Sequence, residues 1–308
     1  MDVSVIIINY NTISLTIQCI QSILQHTTGI KYEIIIVDNN SEDDIQTEIS
    51  RHFSNTPCEI ICKKLNENVG FGRGNNEGFK ISKGRNVFCL NPDTILLNNA
   101  IKILSDYIDT HAETGACGGN LFSKDMQPNL SFRRYLPGVE WELHFLTFMK
   151  FDKLIYGNNT IFNNSSKPLN VGYISGADLM MRRRDVEKVK GFSPEYFMYF
   201  EETDLCYKIK QQGYKITSVP EAHIIHLEGG SFKDNGTMNT NAIDRSEFGR
   251  LTYYKKNKSA LSVFFINKIY SIALSLNKHY FRSRHNKIWR YYEYRQESYK
   301  KALAKTRH

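Results

Sequence analysis

The chain predicts an α/β protein with a mostly parallel central sheet flanked by helices and a helical extension at the C-terminal end. Three observations carry this. Val3-Ser-Val-Ile-Ile-Ile8 and Glu33-Ile-Ile-Ile-Val37 are continuous runs rich in β-branched residues, as strands buried on both faces require. A stretch with helical spacing follows each, and short β-α-β-α connections argue for a parallel sheet covered by helices. Charge is also split: residues 245–308 hold 16 Lys and Arg against 3 Asp and Glu, and the remainder 24 against 29. The expected division is therefore a catalytic-size α/β domain over 1–240 and a basic, aromatic-rich helical extension over 241–308.

The first strand ends at Asn9, and Tyr10-Asn11-Thr12 turns the chain. Ile13, Ile17, Ile20 and Leu24 form an apolar stripe over 13–25, with Thr12 or Asn11 as cap. The second strand ends at Asp38, and Ser41 with Asp44 predicts a capped helix over 42–52. A weaker strand over 59–65 leads into Asn66-Glu-Asn-Val-Gly-Phe-Gly-Arg-Gly-Asn-Asn76. Its glycines are spaced G-x-G-x-G, which fits no dinucleotide fingerprint. Two readings stand for this loop. It presents backbone N–H groups to phosphate, with Arg73 assisting and a helix over 75–83, or it is a tight turn needing positive φ at Gly70 or Gly72.

Phe88-Cys-Leu-Asn-Pro-Asp-Thr-Ile95 reads as a buried strand stopped by Pro92, which cannot donate to a ladder. Asp93 is left at the sheet's mouth with Asn91 beside it. Such oxygen donors suit Mg²⁺ or Mn²⁺ shared with a diphosphate; the alternative is a turn with Asp93 or Asn98 as a helix cap. A helix over 100–110 and a strand over 115–122 follow. Residues 124–170 are irregular apart from a helix near 141–148, and the loops facing an acceptor are expected there. Residues 171–181 read as one strand, and a short helix then runs to Gly191.

Phe197-Met-Tyr-Phe-Glu-Glu-Thr-Asp204 sets two adjacent acids and a third behind an aromatic run, at the start of a helix ending near Gly213. Acids there suit the helix dipole. A carboxylate against an apolar wall also holds a proton more tightly, as a general base near neutrality does. A strand over 214–219 leads to His226 before Gly229-Gly230-Ser231, a metal-ligand candidate. In open sheets ligands bind beyond the carboxyl ends of strands, so Asn9, Asn11, Asp38, Asn91 and Asp93 form the expected cluster. For Asp38 the alternatives are a hydrogen bond to a donor nucleotide and the start of a turn.

In this order, Val3 to Asn11, Ile-Val-Asp-Asn-Asn-Ser41, Asn68 to Asn76, Leu-Asn-Pro-Asp-Thr94, Gly176-Ala177, Phe-Met-Tyr-Phe-Glu-Glu-Thr-Asp-Leu-Cys206 and His226 to Ser231 resemble the inverting glycosyltransferases of family 2, GT-A fold, over about residues 3–232. The rhamnosyltransferase-like enzymes of bacterial surface polysaccharide are the most similar subgroup. The resemblance implies a nucleotide-sugar donor, dTDP-rhamnose first and UDP-sugars next, and a saccharide or polyprenyl-linked acceptor. It implies Mg²⁺ or Mn²⁺ at Asp93 and His226, with Asn91 in place of the first Asp of the family's D-x-D. Asn9, Asn11, Asp38, Asn68, Gly70, Arg73, Asn75, Asn91 and Gly176 fall on the donor side. Glu202 stands where the family usually has an Asp as base, with Glu201 the alternative and Asp204 supporting the site or the acceptor.

Six scattered cysteines without a CxxC pair argue against a zinc site and a disulfide framework and fit a reducing cytosol. The first apolar run is too short and lacks the basic flank of a signal peptide. In the tail no uninterrupted apolar run reaches a membrane span of roughly 20 residues. Its basic and aromatic helices suit the inner face of the plasma membrane, pack on the catalytic domain, or form a homo-oligomer contact. No nucleic-acid-binding module accompanies the charge. Two other functions stay open: a catalytically silent GT-A-like scaffold, and a nucleotidyltransferase, which would release pyrophosphate.

Overall fold

The computed structural model describes residues 1–147, 150–227, 238–285 and 288–305, with only the backbone of residues 150 and 151. The sheet grows from strand β1 (Val3–Asn9), in parallel register with β2 (Tyr32–Asp38) and β4 (Asn86–Leu90). β3 (Glu59–Lys64) extends it parallel beyond β2. On the other side β10 (Asp178–Arg182) runs antiparallel between β4 and β6 (Thr114–Phe122), and β11 (Lys215–His226) lies parallel to β6. β5 (Thr94–Leu96) closes that edge against β11, and β8 (Leu169–Val171) also pairs with β11. A small separate ladder joins β7 (Phe132–Arg133) to β9 (Tyr173–Ile174).

Period-two alternation sends β1 side chains into two cores. Val3, Val5 and Ile7 pack under α1 (Ile13–His26), α2 (Ile45–His52) and α4 (Ala100–Thr110). Ile6 and Ile8 face the layer of α3 (Phe71–Phe79), α7 (Arg183–Lys188) and α8 (Glu201–Gln211). Full burial of one such isoleucine is worth about 1.5–3 kcal/mol, so a register slip in β1 would cost both layers at once.

Four elements depart from the sequence expectation. α2 begins at Ile45, not 42, because Asp44 is its cap, accepting from Thr47 N, while Ser41 is held back by Asp38. α3 begins at Phe71, not 75, and Gly72, Gly74 and Gly78 lie inside it. A side chain at Gly78 would come within 2.5 Å of Ile6, so these glycines let α3 approach the sheet. The stretch 171–181 is β9 and β10 separated by a turn, with Gly172 pressed against the Tyr135 backbone. β11 continues past Val219 to His226, carrying Pro220 within a register shift between Ser218 and His223, where a missing donor is tolerated. Neither Asp93 nor Asn98 caps α4; the Asn98 amide clamps β11 through Glu221 O and His223 N.

The helix expected near 141–148 is α5 (Val139–Leu146), and a second helix, α6 (Lys150–Tyr156), follows in the stretch expected to be irregular. The tail is three helices: α9 (Thr240–Asn257), α10 (Ala260–Ser283) and α11 (Trp289–Lys305). Arg250 of α9, 1% exposed, reaches Glu142 of α5 at 2.9 Å, and the Tyr254 hydroxyl donates to the same carboxylate at 2.7 Å. Glu247 accepts from Arg295 at 2.5 Å and from Tyr270. The tail thus packs on α5 through buried charges that are paired, without which burying them would be costly.

Candidate active site

Three segments meet at the carboxyl ends of the parallel strands: the Asn91–Thr94 turn, the turn between β9 and β10, and the start of α8. The turn Asn91–Thr94 is tied by Thr94 Oγ1 to Asn91 O at 2.7 Å. Its outer end is pinned to β11, since Leu227 N donates to Asp93 O at 2.9 Å. This sets Asp93 Oδ1 3.4 Å from His226 Nε2, both side chains at most 14% exposed. Asn91 Nδ2 lies 3.4 Å from the same His226 nitrogen. Glu228 to Ser231, the remainder of that motif, lie outside the described residues.

Asn91 N also donates to Ala177 O at 3.0 Å, which fixes the turn between β9 and β10 beside the Asp93 loop. At Gly176 in this turn an added Cβ would meet Glu202 Cβ at 3.7 Å and the Phe71 ring at 3.4 Å. Gly176 is therefore the point where the Asp93 loop and the start of α8 close on each other. Glu201 and Glu202 open α8 directly after Tyr199 and Phe200, which hold positive φ of 73° and 71°. Two consecutive aromatic residues in that region are strained and persist only where packing enforces them.

Burial holds both Glu201 and Glu202 carboxyls above the ordinary carboxylate range, and the neighbouring Glu202 charge lifts Glu201 further. Glu202 Oε1 accepts from Thr203 Oγ1 at 3.2 Å. Glu201 is 4% exposed, and no described residue bonds its Oε2. Asp204 is not part of the cleft. It is fully buried and accepts from Ser193, Tyr196, Lys256 and Asn257. Its work is to fasten α9 to α8 through Lys256 and Asn257; two residues on from Glu202, it points to the other side of the helix.

The donor-side residues divide. Asp38 and Asn9 are both fully buried. Asp38 accepts from Asn9 Nδ2 at 2.9 Å, Ser41 N at 3.1 Å and Ser41 Oγ at 2.5 Å. Asn9 Oδ1 takes the hydroxyls of Thr12 and Thr16. Asn11, at φ 55°, accepts from Glu42 N and donates its own N–H to Ser41 Oγ. Ser41, a candidate helix cap from its spacing to Asp44, instead joins all three of these residues through its hydroxyl. Gly70 has φ 86°, with Phe197 O at 2.1 Å from any added Cβ. It is both the tight turn and the contact bringing α3 against the 192–200 loop. Asn68 Oδ1 accepts from Gly70 N, Asn75 Nδ2 donates to Phe71 O, and Arg73 is exposed.

A carboxylate oxygen and an imidazole nitrogen 3.4 Å apart fit two positions of a Mg²⁺ or Mn²⁺ shell, the remainder falling to diphosphate oxygens and water. Among the described residues no group of three or more His, Cys, Asp and Glu could hold a metal alone, so this would be a site shared with substrate.

The family model for glycosyl transferase family 2 matches residues 4–190. Rhamnosyltransferase WbbL of Escherichia coli strain K12 is 24% identical over 201 residues, 62% of this chain and 72% of that protein. The N-acetylglucosaminyl-diphospho-decaprenol L-rhamnosyltransferase of Mycobacterium tuberculosis is 39% identical over 61 residues, a fifth of either chain. Among solved structures, the mannosyltransferase PcManGT from Pyrobaculum calidifontis in complex with GDP-Man and Mn²⁺ superposes with a TM-score of 0.60 and 13% identity, over 98% of this chain and 86% of that one. The fold is GT-A.

Proposed function

The chain belongs to glycosyl transferase family 2, and on that premise we propose that it moves a sugar, with inversion, from a nucleoside-diphosphate donor to a saccharide or lipid-linked saccharide acceptor in surface-polysaccharide synthesis. The observation that carries this is the meeting of Asp93 and His226 at the strand ends, with Glu202 behind Gly176. When bound, a divalent cation would offset charge on the leaving diphosphate. Asp93 and His226 would hold that cation, and the Asp38–Asn9–Ser41 network would shape the wall beside the nucleotide. Glu202 removes the acceptor hydroxyl proton as that oxygen attacks the sugar carbon from the face opposite the diphosphate. Its burial favours this transfer by bringing its proton affinity closer to that of a base working near neutrality. One displacement needs no protein nucleophile. A rhamnosyl donor is supported by the two rhamnosyltransferase relatives.

The tail supports a peripheral position at the inner membrane face. α10 is long and apolar enough by length and composition to cross a membrane, although Asn267 and Lys268 interrupt its apolar run. Leu261, Phe264, Phe265, Ile272 and Leu276, each at least half exposed, form one outward stripe. A thermal-shift screen of dTDP-, UDP- and GDP-sugars with and without Mn²⁺ tests the donor reading. A ligand at 100 times its dissociation constant adds about 2.7 kcal/mol of stability. Stabilisation by one nucleotide sugar that needs Mn²⁺ supports the reading, and no stabilisation by any of them overturns it.

A further inference from the structure

A cavity of about 430 Å³ is bounded by Arg133, His144, Asp152, Lys153 and residues of the 157–164 loop. Its charges are incompletely paired. His144 is 8% exposed, and Arg133 Nε and both His144 ring nitrogens are buried without a hydrogen bond among the described residues. His144 Nδ1 lies 3.0 Å from Asp152 Oδ1 but off the line of a bond. The Tyr135 hydroxyl donates to the same carboxylate. The adjacent Arg134 repeats the pattern: Nε and Nη1 are buried and unbonded, with the guanidinium 4.8 Å over the Tyr156 ring. Buried donors are ordinarily satisfied, so donors without a protein acceptor point to an acceptor supplied from outside.

Aromatic packing joins Arg133 to β9, the strand that leads into the Gly176 turn. The Arg133 guanidinium stands 5.4 Å from the Trp141 ring, Trp141 stacks on Tyr173 at 6.2 Å, and Arg133 is Tyr173's partner in the β7–β9 ladder. β9 runs from Tyr173 into the Gly176 turn, where an added Cβ would meet Glu202 Cβ at 3.7 Å. An acceptor with its hydroxyl at Glu202 would therefore lie along these rings, its far end toward Arg133. A planar guanidinium fork suits phosphate oxygens.

We propose that Arg133 and His144, with Arg134 behind them, bind the diphosphate that links an acceptor sugar to its lipid carrier. This rests on the transferase reading of the cleft. The expected acceptor is an anionic, diphosphate-linked sugar rather than a neutral glycoside.

Two arms test it. Inorganic pyrophosphate is titrated by calorimetry into the full chain in EDTA, where no cation can bridge it to Asp93. Arg133→Gln should weaken binding about tenfold and Arg133→Lys less, since the charge remains and the fork is lost. Transfer is then compared between a short-chain alkyl diphosphate carrying N-acetylglucosamine and the neutral octyl glycoside of the same sugar. Wild type should prefer the diphosphate about tenfold in kcat/KM, and Arg133→Gln should erase that preference. His144→Gln should act in the same direction if Arg133→Gln fails to fold. Unchanged pyrophosphate binding in these variants, or a wild type indifferent to the acceptor's diphosphate, overturns the proposal. Arg133-dependent pyrophosphate binding without transfer to either acceptor would overturn the transferase reading and leave a free-anion site.

Discussion

Asp93 Oδ1 and His226 Nε2 stand 3.4 Å apart, one at the mouth of the Asn91–Thr94 turn and the other at the last residue of β11. The backbone enforces the meeting. His226 pairs with Thr94 across the β11–β5 ladder, and Leu227 N closes on Asp93 O. The register of an edge strand thus sets the spacing of these two side chains.

Glu201 should cost the fold stability at neutral pH. Burial raises its proton affinity above that in the unfolded chain. The favourable contribution of a raised carboxyl is complete below the ordinary carboxylate pKa and is lost as pH climbs through the folded value. Glu201→Gln removes the titration. Its melting temperature should match wild type near pH 4 and exceed it progressively toward pH 8, a gain of about 1–3 kcal/mol. Melting curves across that range check it; a variant less stable at pH 8 contradicts it.

The same burial shapes the pH–rate profile. Glu202 must be ionised to accept a proton, and its pKa is raised. The acid limb of kcat/KM should therefore fall above the ordinary carboxylate range, and activity should increase with pH through it. Glu202→Gln should lower kcat by about 10²–10⁴ and remove that limb. A limb at the ordinary carboxylate position would assign the base elsewhere.

Gly249 of α9 buttresses the strained turn before Glu201. A Cβ there would sit 2.7 Å from Tyr199 O, and Arg245 lies 4.6 Å over the Phe197 ring. Gly249→Val should push Tyr199 and Phe200 out of position, costing about 1–3 kcal/mol, with kcat falling more than KM rises. Melting curves and steady-state kinetics on one preparation test this; unaltered kcat would mean that α9 does not position the turn.

The α10 stripe should bind anionic vesicles in a salt-dependent way, basic residues near such a surface adding about 1 kcal/mol each. Phe264→Ser with Phe265→Ser should weaken co-sedimentation about tenfold. Equal binding by wild type and variant, or none by wild type, would remove the membrane assignment.

Much of this was legible in the chain. β1, β2, α1 and α4 announce themselves because both faces of each strand and one face of each helix are apolar at the right period. The polar residues at the strand ends stood out as well, and the structure ties Asn9, Asn11 and Asp38 together through Ser41. What the sequence concealed depends on distant partners. Gly72 and Gly74 read as a loop before a helix over 75–83, whereas close approach to Phe192 and Ile8 puts both inside a helix that has no room there for side chains. Asp204 resembled its acidic neighbours until Lys256 and Asn257, beyond the local pattern, claimed it. The strand expected over 214–219 runs on through Pro220 because a register shift there tolerates the missing donor. Arg133 and Arg134 sat in an irregular stretch with no period to read, and only the folded wall of Trp141 and Tyr173 gives them a place.

The most direct test of the site is sugar transfer from the donor identified by the stability screen, in Mn²⁺, by Asp93→Asn, His226→Ala and Glu202→Gln beside wild type. All three variants should retain the wild-type fold while product formation falls about 100-fold or more. Wild-type turnover in any one of these folded variants would contradict a single site built from Asp93, His226 and Glu202.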